Sequence, residues 1–224
     1  MTAPSAGEPS LRPPAAPTTS AGRRRLVAWA KDSPAGMEIA RVRFADDSLH
    51  AAGTALVVSQ APFELRYALW TGAGYVTRRL TVRCRGLDWA RQLRLTRDPS
   101  GRWTARGTSN GGPFATAPGE GAVELGPEVL DVDLESSPLF NTMPVLRHDL
   151  FVDRRSGEFA MAWVAIPTLR VELSRQRYTA IRRTADDHVI RFESLDAGTG
   201  FTSEVTFDRD GVVRDYPGIA RSLN

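Results

Sequence analysis

The segment Arg78–Arg85, RRLTVRCR, decides the fold class, because the residues at every second position from Leu80 onward are apolar. Leu80, Val82 and Cys84 fall on one side of an extended chain, and a threonine and arginines fall on the other. Such alternation is typical of a β-strand with one buried and one solvent-exposed face. Cys84, the only cysteine, is therefore expected to be a small buried residue and not a nucleophile.

The same alternation recurs along the chain, and short turn signals rich in Gly, Asp, Pro and Ser separate the segments as in antiparallel hairpins. Three further segments show it clearly: Arg91–Arg97, Leu169–Ser174 and Phe201–Phe207. No long segment shows the 3.6-residue period of a helix. The sequence thus predicts an all-β domain with a large antiparallel sheet and little helix. Because strongly twisted open sheets rarely exceed ~10 strands, the sheet must curl, close or split into two layers.

The N-terminal segment differs in composition from the rest of the chain. Residues 1–25 are rich in Pro, Ala, Ser and Thr and lack an apolar run, so we expect a disordered tail followed by a single β domain over residues 26–224. The apolar run Leu26–Ala30 is shorter than the apolar core of a secretion signal, which has ~7–15 residues. No segment has the ~18 apolar residues that span a bilayer. We expect a cytoplasmic protein without an integral membrane segment, and a long Gly- and Pro-rich loop over residues 107–128.

The charged residues are dominated by arginine. The chain carries 29 basic and 26 acidic side chains, a net charge of +3, and Lys31 is the only lysine. Arginine binds phosphate well, but these arginines are spread along the sequence and nearly balanced by acids, whereas a nucleic-acid-binding protein concentrates them on one face. A host genome rich in G and C accounts for the same composition. We therefore expect no nucleic-acid partner.

Motifs for metal, cofactor or covalent chemistry are absent from the sequence. The three histidines lie far apart without HxH or HExxH spacing, and one cysteine excludes a multi-cysteine metal site. No P-loop, GxSxG or GxGxxG stands in its required context. We expect no metal, no cofactor and no enzymatic activity, and the sequence defines no oligomeric state.

The segment Leu130–His148, LDVDLESSPLFNTMPVLRH, carries the main candidate site residues. On a strand, Asp131 and Asp133 point to one face while Val132 and the leucines on either side point to the other. The carboxylates can hydrogen-bond or pair with arginine inside the fold, contact a ligand, or act as an acid/base pair. If Asp131 or Asp133 pairs with an arginine inside the fold, we expect Asp133→Asn to lower stability and ligand retention together.

A rigid turn is predicted directly after this strand. Pro138 and Pro144 restrict the backbone on either side of Asn141, which we expect to form an Asx turn. The turn either shapes the lip of a cavity or is a corner where the chain crosses between layers. Arg147 follows within reach of a carboxylate or an anionic head group.

A second dense segment, DRDGVVRDYPGI over Asp208–Ile219, combines a tight turn, a short apolar strand and an Asp-Tyr-Pro-Gly ending. Together the two segments resemble the bacterial glycolipid-binding family, whose members carry "DVDL…P…NTLPIRR" and "D..GLV.DYPGL". Gln176, Tyr178 and Thr179 match the family's "P.L.V…Q.YT". The chain departs from the family at Leu146, where the family has an arginine.

The resemblance implies a spiral β-roll, similar to an open half-barrel, that holds a glycolipid or other small amphipathic ligand in a groove on the concave face of the sheet. The residue patterns and the resemblance together give six candidate ligand-binding residues: Asp131, Asp133, Asn141, Arg147, Gln176 and Tyr178. Several aromatic residues either flank a sugar or belong to the core: Trp70, Tyr75, Trp89, Trp103, Trp163 and Tyr178. Two alternatives remain, a sugar- or lipid-ester hydrolase using Asp131 and Asp133, and a non-catalytic protein-interaction domain.

Overall fold

The segments with period-two alternation form strands of one curled sheet. The computed structural model describes residues 22–152, 154–198 and 200–224. The 14 strands are β1 Arg24–Asp32, β2 Ala35–Phe44, β3 Leu49–Val57, β4 Phe63–Thr71, β5 Thr77–Arg85, β6 Ala90–Arg97, β7 Trp103–Asn110, β8 Asp131–Leu134, β9 Ser156–Val164, β10 Val171–Arg183, β11 Asp187–Ser194, β12 Thr202–Asp208, β13 Val213–Tyr216 and β14 Ala220–Ser222. The predicted tail lies mostly outside the described residues, and its last two residues, Arg24 and Arg25, belong to β1.

The sheet consists of two antiparallel meanders joined at their ends: strands β1–β7 form the first meander, strands β9–β14 form the second, and β8 pairs with the outer edge of the second. Its order is β7-β6-β5-β4-β3-β2-β1-β14-β13-β12-β11-β10-β9-β8. Neighbouring strands are antiparallel except β8 and β9, which are parallel. In the described part of the chain β7 and β8 are the edge strands, so hydrogen bonding does not close the sheet. The prediction of a large, curled, mainly antiparallel sheet with little helix is confirmed.

Strand β5 shows why the alternating segments are strands. The side chains of Leu80, Val82 and Cys84 point into the interior and are fully buried. Burial raises the pKa of the Cys84 thiol to about 12, so the nucleophilic thiolate is suppressed at neutral pH. Cys84 is a buried core residue, as predicted.

The curl brings edge strand β8 against the inner side of the first meander. The Thr77 backbone N–H donates to Leu130 O at 2.9 Å, and the Val132 N–H donates to Thr77 Oγ1 at 3.3 Å. Val132 and Leu134 are fully buried in a first core together with residues of β1–β7. A second core lies on the inner side of β9–β13 and includes Met161. Strand β8 therefore lies between two cores.

The segment after β8 is a helical corner, so the prediction of a turn there was wrong. Residues Pro138–Asn141 form a 3-10 helix that continues into helix α1, Thr142–Arg147. Pro138 and Pro144 fit because each lies in the first turn of its helix, where a backbone N–H has no partner within the helix. The expected Asx turn at Asn141 is replaced by contacts of its side chain with Pro138 O, at 3.3 Å, and Tyr178.

The long loop predicted over residues 107–128 is shorter than expected. Strand β7 continues to Asn110, because its residues pair with β6 as far as Ala90. The following segment crosses to the second meander, where Gly119 N donates to Leu169 O at 2.7 Å and Val171 N donates to Glu120 O at 2.8 Å. These backbone bonds fix the crossing against the start of β10.

The position of Leu134 in the first core predicts a large effect of truncation. We expect Leu134→Ala to lower the free energy of unfolding by about 2–5 kcal/mol, because it removes buried methyl groups and leaves a cavity. Leu87→Ala is the matched control, since that side chain is 95% exposed. Urea denaturation checks both variants, and similar losses in the two would contradict the placement of β8.

Candidate functional site

A cavity of about 560 Å³ lies over the inner side of β8–β11. Its floor comes from alternate residues of neighbouring strands, since Asp133 is paired with Trp163, Trp163 with Glu172, and Gln176 with Ser194. The helical corner and the segments around β13 close its sides. The residues that line it are Asp133, Ser136, Ser137, Asn141, Trp163, Glu172, Leu173, Ser174, Gln176, Phe192, Ser194, Asp196, Ala197, Phe201, Tyr216 and Ile219.

A chain of hydrogen bonds orients the polar groups of the cavity. Gln176 Nε2 donates to Asp133 Oδ2 at 2.6 Å. The buried hydroxyl of Tyr178 lies 3.1 Å from Gln176 Oε1 and 2.9 Å from Asn141 Oδ1, and it donates its proton to one of them at a time. Tyr178 thus fixes which atoms Gln176 and Asn141 turn toward the cavity. The polar groups of the cavity are therefore held in fixed orientations.

The cavity carboxylate of Asp133 has an altered pKa. Burial raises its pKa to about 6, the nearby charges of Glu135 and Asp131 act in the same direction, and the Gln176 hydrogen bond opposes them. Burial, together with the charge of Asp133, also raises the pKa values of Tyr178 and Tyr216. Both hydroxyls therefore stay protonated at neutral pH.

Asp131 serves a different purpose from Asp133. Arg147 binds it with two parallel hydrogen bonds, Nη1 to Oδ1 at 2.7 Å and Nη2 to Oδ2, and both side chains are largely buried. Neither residue lines the cavity. The structure therefore brings Asp133, Asn141 and Gln176 to the cavity, places Tyr178 directly beneath them, and separates Asp131 and Arg147 as an ion pair that supports the corner.

A buried polar cluster that sequence reasoning missed lies beneath the cavity. Ser137, which lines the cavity, donates to Glu38 Oε1 at 2.6 Å, and the Tyr67 hydroxyl donates to the same oxygen at 2.8 Å. Lys31 Nζ lies 3.8 Å from Glu38 Oε2. Burial raises the pKa of Glu38 and lowers that of Lys31. The alternation of β1 and β2 placed both residues on inward faces, which was the available signal.

Several cavity residues were also missed. Ser174 Oγ donates to Asp196 Oδ2 at 2.7 Å, and the Arg175 N–H donates to Asp196 Oδ1 at 2.9 Å, which fixes this second carboxylate. Phe201 and Tyr216 add aromatic surface. Of the aromatic candidates proposed from sequence, Trp163 lines the cavity and Tyr178 lies beneath it, whereas the others lie elsewhere.

Comparisons with known proteins agree with the motifs. A family model described as "Putative glycolipid-binding" matches residues 26–222. The chain belongs to this family. Its structure is similar to the crystal structure of a DUF1089 family protein from Pseudomonas aeruginosa, with a TM-score of 0.62 and 26% sequence identity over 83% of this chain and 92% of that chain. No curated protein matches the chain.

Among the described residues, no helix has the length and apolar character needed to cross a membrane. The same residues contain no group of three or more His, Cys, Asp or Glu side chains placed to hold a metal ion.

The Asp131–Arg147 pair predicts a strong effect on stability. We expect Asp131→Asn to lower the free energy of unfolding by about 3–5 kcal/mol, because it leaves the largely buried Arg147 guanidinium without its counter-charge. Asp149→Asn is the matched control, since its pair with Arg155 is exposed and should contribute less than about 1 kcal/mol. Chemical denaturation at pH 7 measures both, and equal effects would show that the Asp131 pair is not structural.

Asp133→Asn should have the opposite effect on stability, because the partner of Asp133 is Gln176 and not an arginine. A raised pKa means that the folded state holds this proton more tightly than the unfolded chain, whose Asp titrates near ~3.9. The contribution of Asp133 to stability is therefore greatest below about pH 4 and falls as pH rises to about 6. The variant should lose this part of the pH dependence and be about 1–3 kcal/mol more stable at pH 7.

Urea denaturation of the wild type and Asp133→Asn at intervals between pH 4 and pH 7 measures this difference. Parallel stability curves for the two proteins would exclude an altered Asp133 carboxyl.

Proposed function

We propose that the protein binds a glycolipid-like amphiphile whose head group is an uncharged sugar, and that the head group occupies the cavity over β8–β11. The observation that carries the proposal is the composition of the cavity wall. Three carboxylates line it, from Asp133, Glu172 and Asp196, together with amide and hydroxyl groups. None of the lining residues that the structure describes is an arginine or a lysine.

This wall suits a polyhydroxylated head group. Sugar hydroxyls are hydrogen-bond donors, and the carboxylate and amide oxygens of the cavity are acceptors. Charge-assisted bonds to carboxylates are stronger than bonds between neutral groups. A phosphate or sulfate would instead meet like charge from these carboxylates, and none of the described lining residues is basic, which raises the cost of its desolvation.

Aromatic and apolar residues supply the other half of the recognition. Trp163, Phe201 and Tyr216 present ring surface beside the polar groups, which suits the C–H face of a sugar or the start of an acyl chain. Leu173 and Phe201 are both more than a third exposed and mark the rim, where a chain would leave the cavity. The volume of the cavity is typical of small-molecule sites, which have ~300–1,000 Å³.

The arrangement favours binding over hydrolysis through Asp131 and Asp133. Asp131 is held by Arg147 and does not line the cavity, so the two aspartates do not present a joint acid/base pair to a ligand. Asp133 alone, hydrogen-bonded to Gln176, acts as an acceptor for a ligand hydroxyl.

Isothermal titration calorimetry with octyl β-glucoside and octyl phosphate, both below their micelle concentrations, tests the proposal. We expect saturable binding of the glucoside and none of the phosphate. Trp163→Ala should weaken glucoside binding about tenfold, because an aromatic contact contributes ~0.5–1.5 kcal/mol beyond its buried area. Trp70→Ala is the matched control, since Trp70 does not line the cavity.

Three outcomes would overturn the proposal. Equal binding of octyl phosphate would exclude selection for an uncharged head. Turnover of a nitrophenyl glucoside that Asp133→Asn abolishes without loss of stability would identify a hydrolase. Failure of all the amphiphiles to bind would favour a protein-interaction domain.

A further inference from the structure

Arginines that are spread along the sequence converge on one surface of the first meander. The outward side of β4–β7 carries Arg66, Arg79, Arg83, Arg85, Arg94 and Arg106, which we call the basic face. Arg66 lies directly opposite Arg83 in the register of β4 and β5, and Arg94 lies directly opposite Arg106 in that of β6 and β7.

Like charges that face each other across strands destabilise a sheet, so this arrangement calls for compensation. Within the described part of the chain, the ion pair of Arg66 with Glu64 is the one pair on the basic face with an N–O distance within 4 Å. The basic face is also crowded, because burial and the nearby charge of Arg94 lower the pKa of Arg79.

In the second meander, two outward arginines are paired with acidic side chains. Arg177 pairs with Glu158 at 2.6 Å, and Arg191 pairs with Glu204 at 2.9 Å. In the described part of the chain, Arg83, Arg94 and Arg106 of the basic face have no such acidic partner within 4 Å. A basic face with few internal partners is complementary to an anionic surface outside the molecule.

An apolar strip borders the basic face on β1–β3 and the C-terminal segment. It consists of Leu26, Met37, Ile39, Leu56, Val58 and Leu223, whose exposed fractions range from 42% to 63%. Met37 lies directly opposite Leu56. A contiguous group of exposed apolar side chains marks an interaction surface, whereas scattered ones do not.

The strip and the basic face meet along one row of the sheet. Ile39 is paired with Thr54, Thr54 with Arg66, and Arg66 with Arg83. Adjacent strands lie ~4.8 Å apart, so this row runs from an apolar residue to two arginines within about 15 Å.

We propose that the apolar strip and the basic face together dock the protein onto the surface of an anionic lipid bilayer. The arginines attract anionic head groups, and the apolar side chains enter the boundary between head groups and acyl chains. A nucleic acid would engage the arginines but would leave the apolar strip in water, so the combination fits a bilayer better. This inference rests on the outward side of the first meander and is independent of the proposed cavity ligand.

Co-sedimentation of the full-length protein with lipid vesicles at 0.15 M salt tests the inference. One set of vesicles is pure phosphatidylcholine and the other contains 25% phosphatidylglycerol. We expect partitioning to be at least about tenfold stronger on the anionic vesicles. The double variant Arg83→Gln/Arg94→Gln should lose about tenfold or more of this binding, since each arginine near an anionic surface contributes ~1 kcal/mol.

Two further variants separate the parts of the surface. Leu56→Gln should weaken binding several-fold by removing an inserting side chain. Arg177→Gln/Arg191→Gln is the matched control, because it removes the same charge from outward positions of the second meander and should change binding less than about twofold. Melting curves establish that each variant is folded. Binding of octyl β-glucoside by Arg83→Gln/Arg94→Gln should be unchanged, which keeps this test separate from that of the cavity.

The inference is overturned if the protein binds neither set of vesicles or binds both equally. It is also overturned if the control pair loses as much binding as the basic-face pair. Binding of a duplex DNA oligonucleotide that requires Arg83 and Arg94, without vesicle binding, would assign the basic face to nucleic acid instead.

Discussion

The two-sided burial of strand β8 is the constraint on which the rest of the structure depends. Val132 enters the core of the first meander, while Asp131 and Asp133 turn toward the second. A strand in this position cannot leave its carboxylates without partners, because an uncompensated buried charge costs several kcal/mol. Arg147 meets that requirement for Asp131, and it does so only if the chain after β8 folds back as the helical corner. The same corner forms one wall of the cavity.

The fold was largely predictable because its signal is local. Alternation in segments such as Arg78–Arg85 fixes which residues face inward wherever one face is buried. Features set by distant partners were not predictable. The β1–β14 pairing joins the two ends of the domain, and the period of a strand contains no information about its neighbour. Helix α1 was missed because a six-residue segment with an internal proline has too few turns to show a helical period.

The candidate site shows the same limit. That Asp131 and Asp133 share a face followed from their spacing, but their separate roles did not, since Arg147 comes from a helix and Gln176 from β10. Asp196 had no motif and enters the cavity through the turn after β11. The arginines were misleading for a related reason, because hairpins of regular length bring residues far apart in sequence into rows on one surface. Spacing along the chain therefore does not measure the concentration of charge in space.

The distribution of charge across the sheet ties the two proposed surfaces together. The inner side of the second meander collects carboxylates around a cavity, and one of them, Asp133, has a pKa raised to about 6 by burial. This raised pKa predicts that Asp133 contributes less to stability at neutral pH than a neutral amide would, since an amide oxygen would accept the same hydrogen bond from Gln176. The outer side of the first meander instead collects arginines that repel one another. Asp133 and the facing arginines are therefore the groups for which we propose an external partner of matching chemistry, a hydroxylated head group for the carboxylate and an anionic surface for the arginines. The basic face and the cavity lie on opposite sides of the curled sheet and on different meanders, so the two proposals are compatible: an anionic surface would attract the outer side, while the carboxylates of the cavity would disfavour an anionic head group.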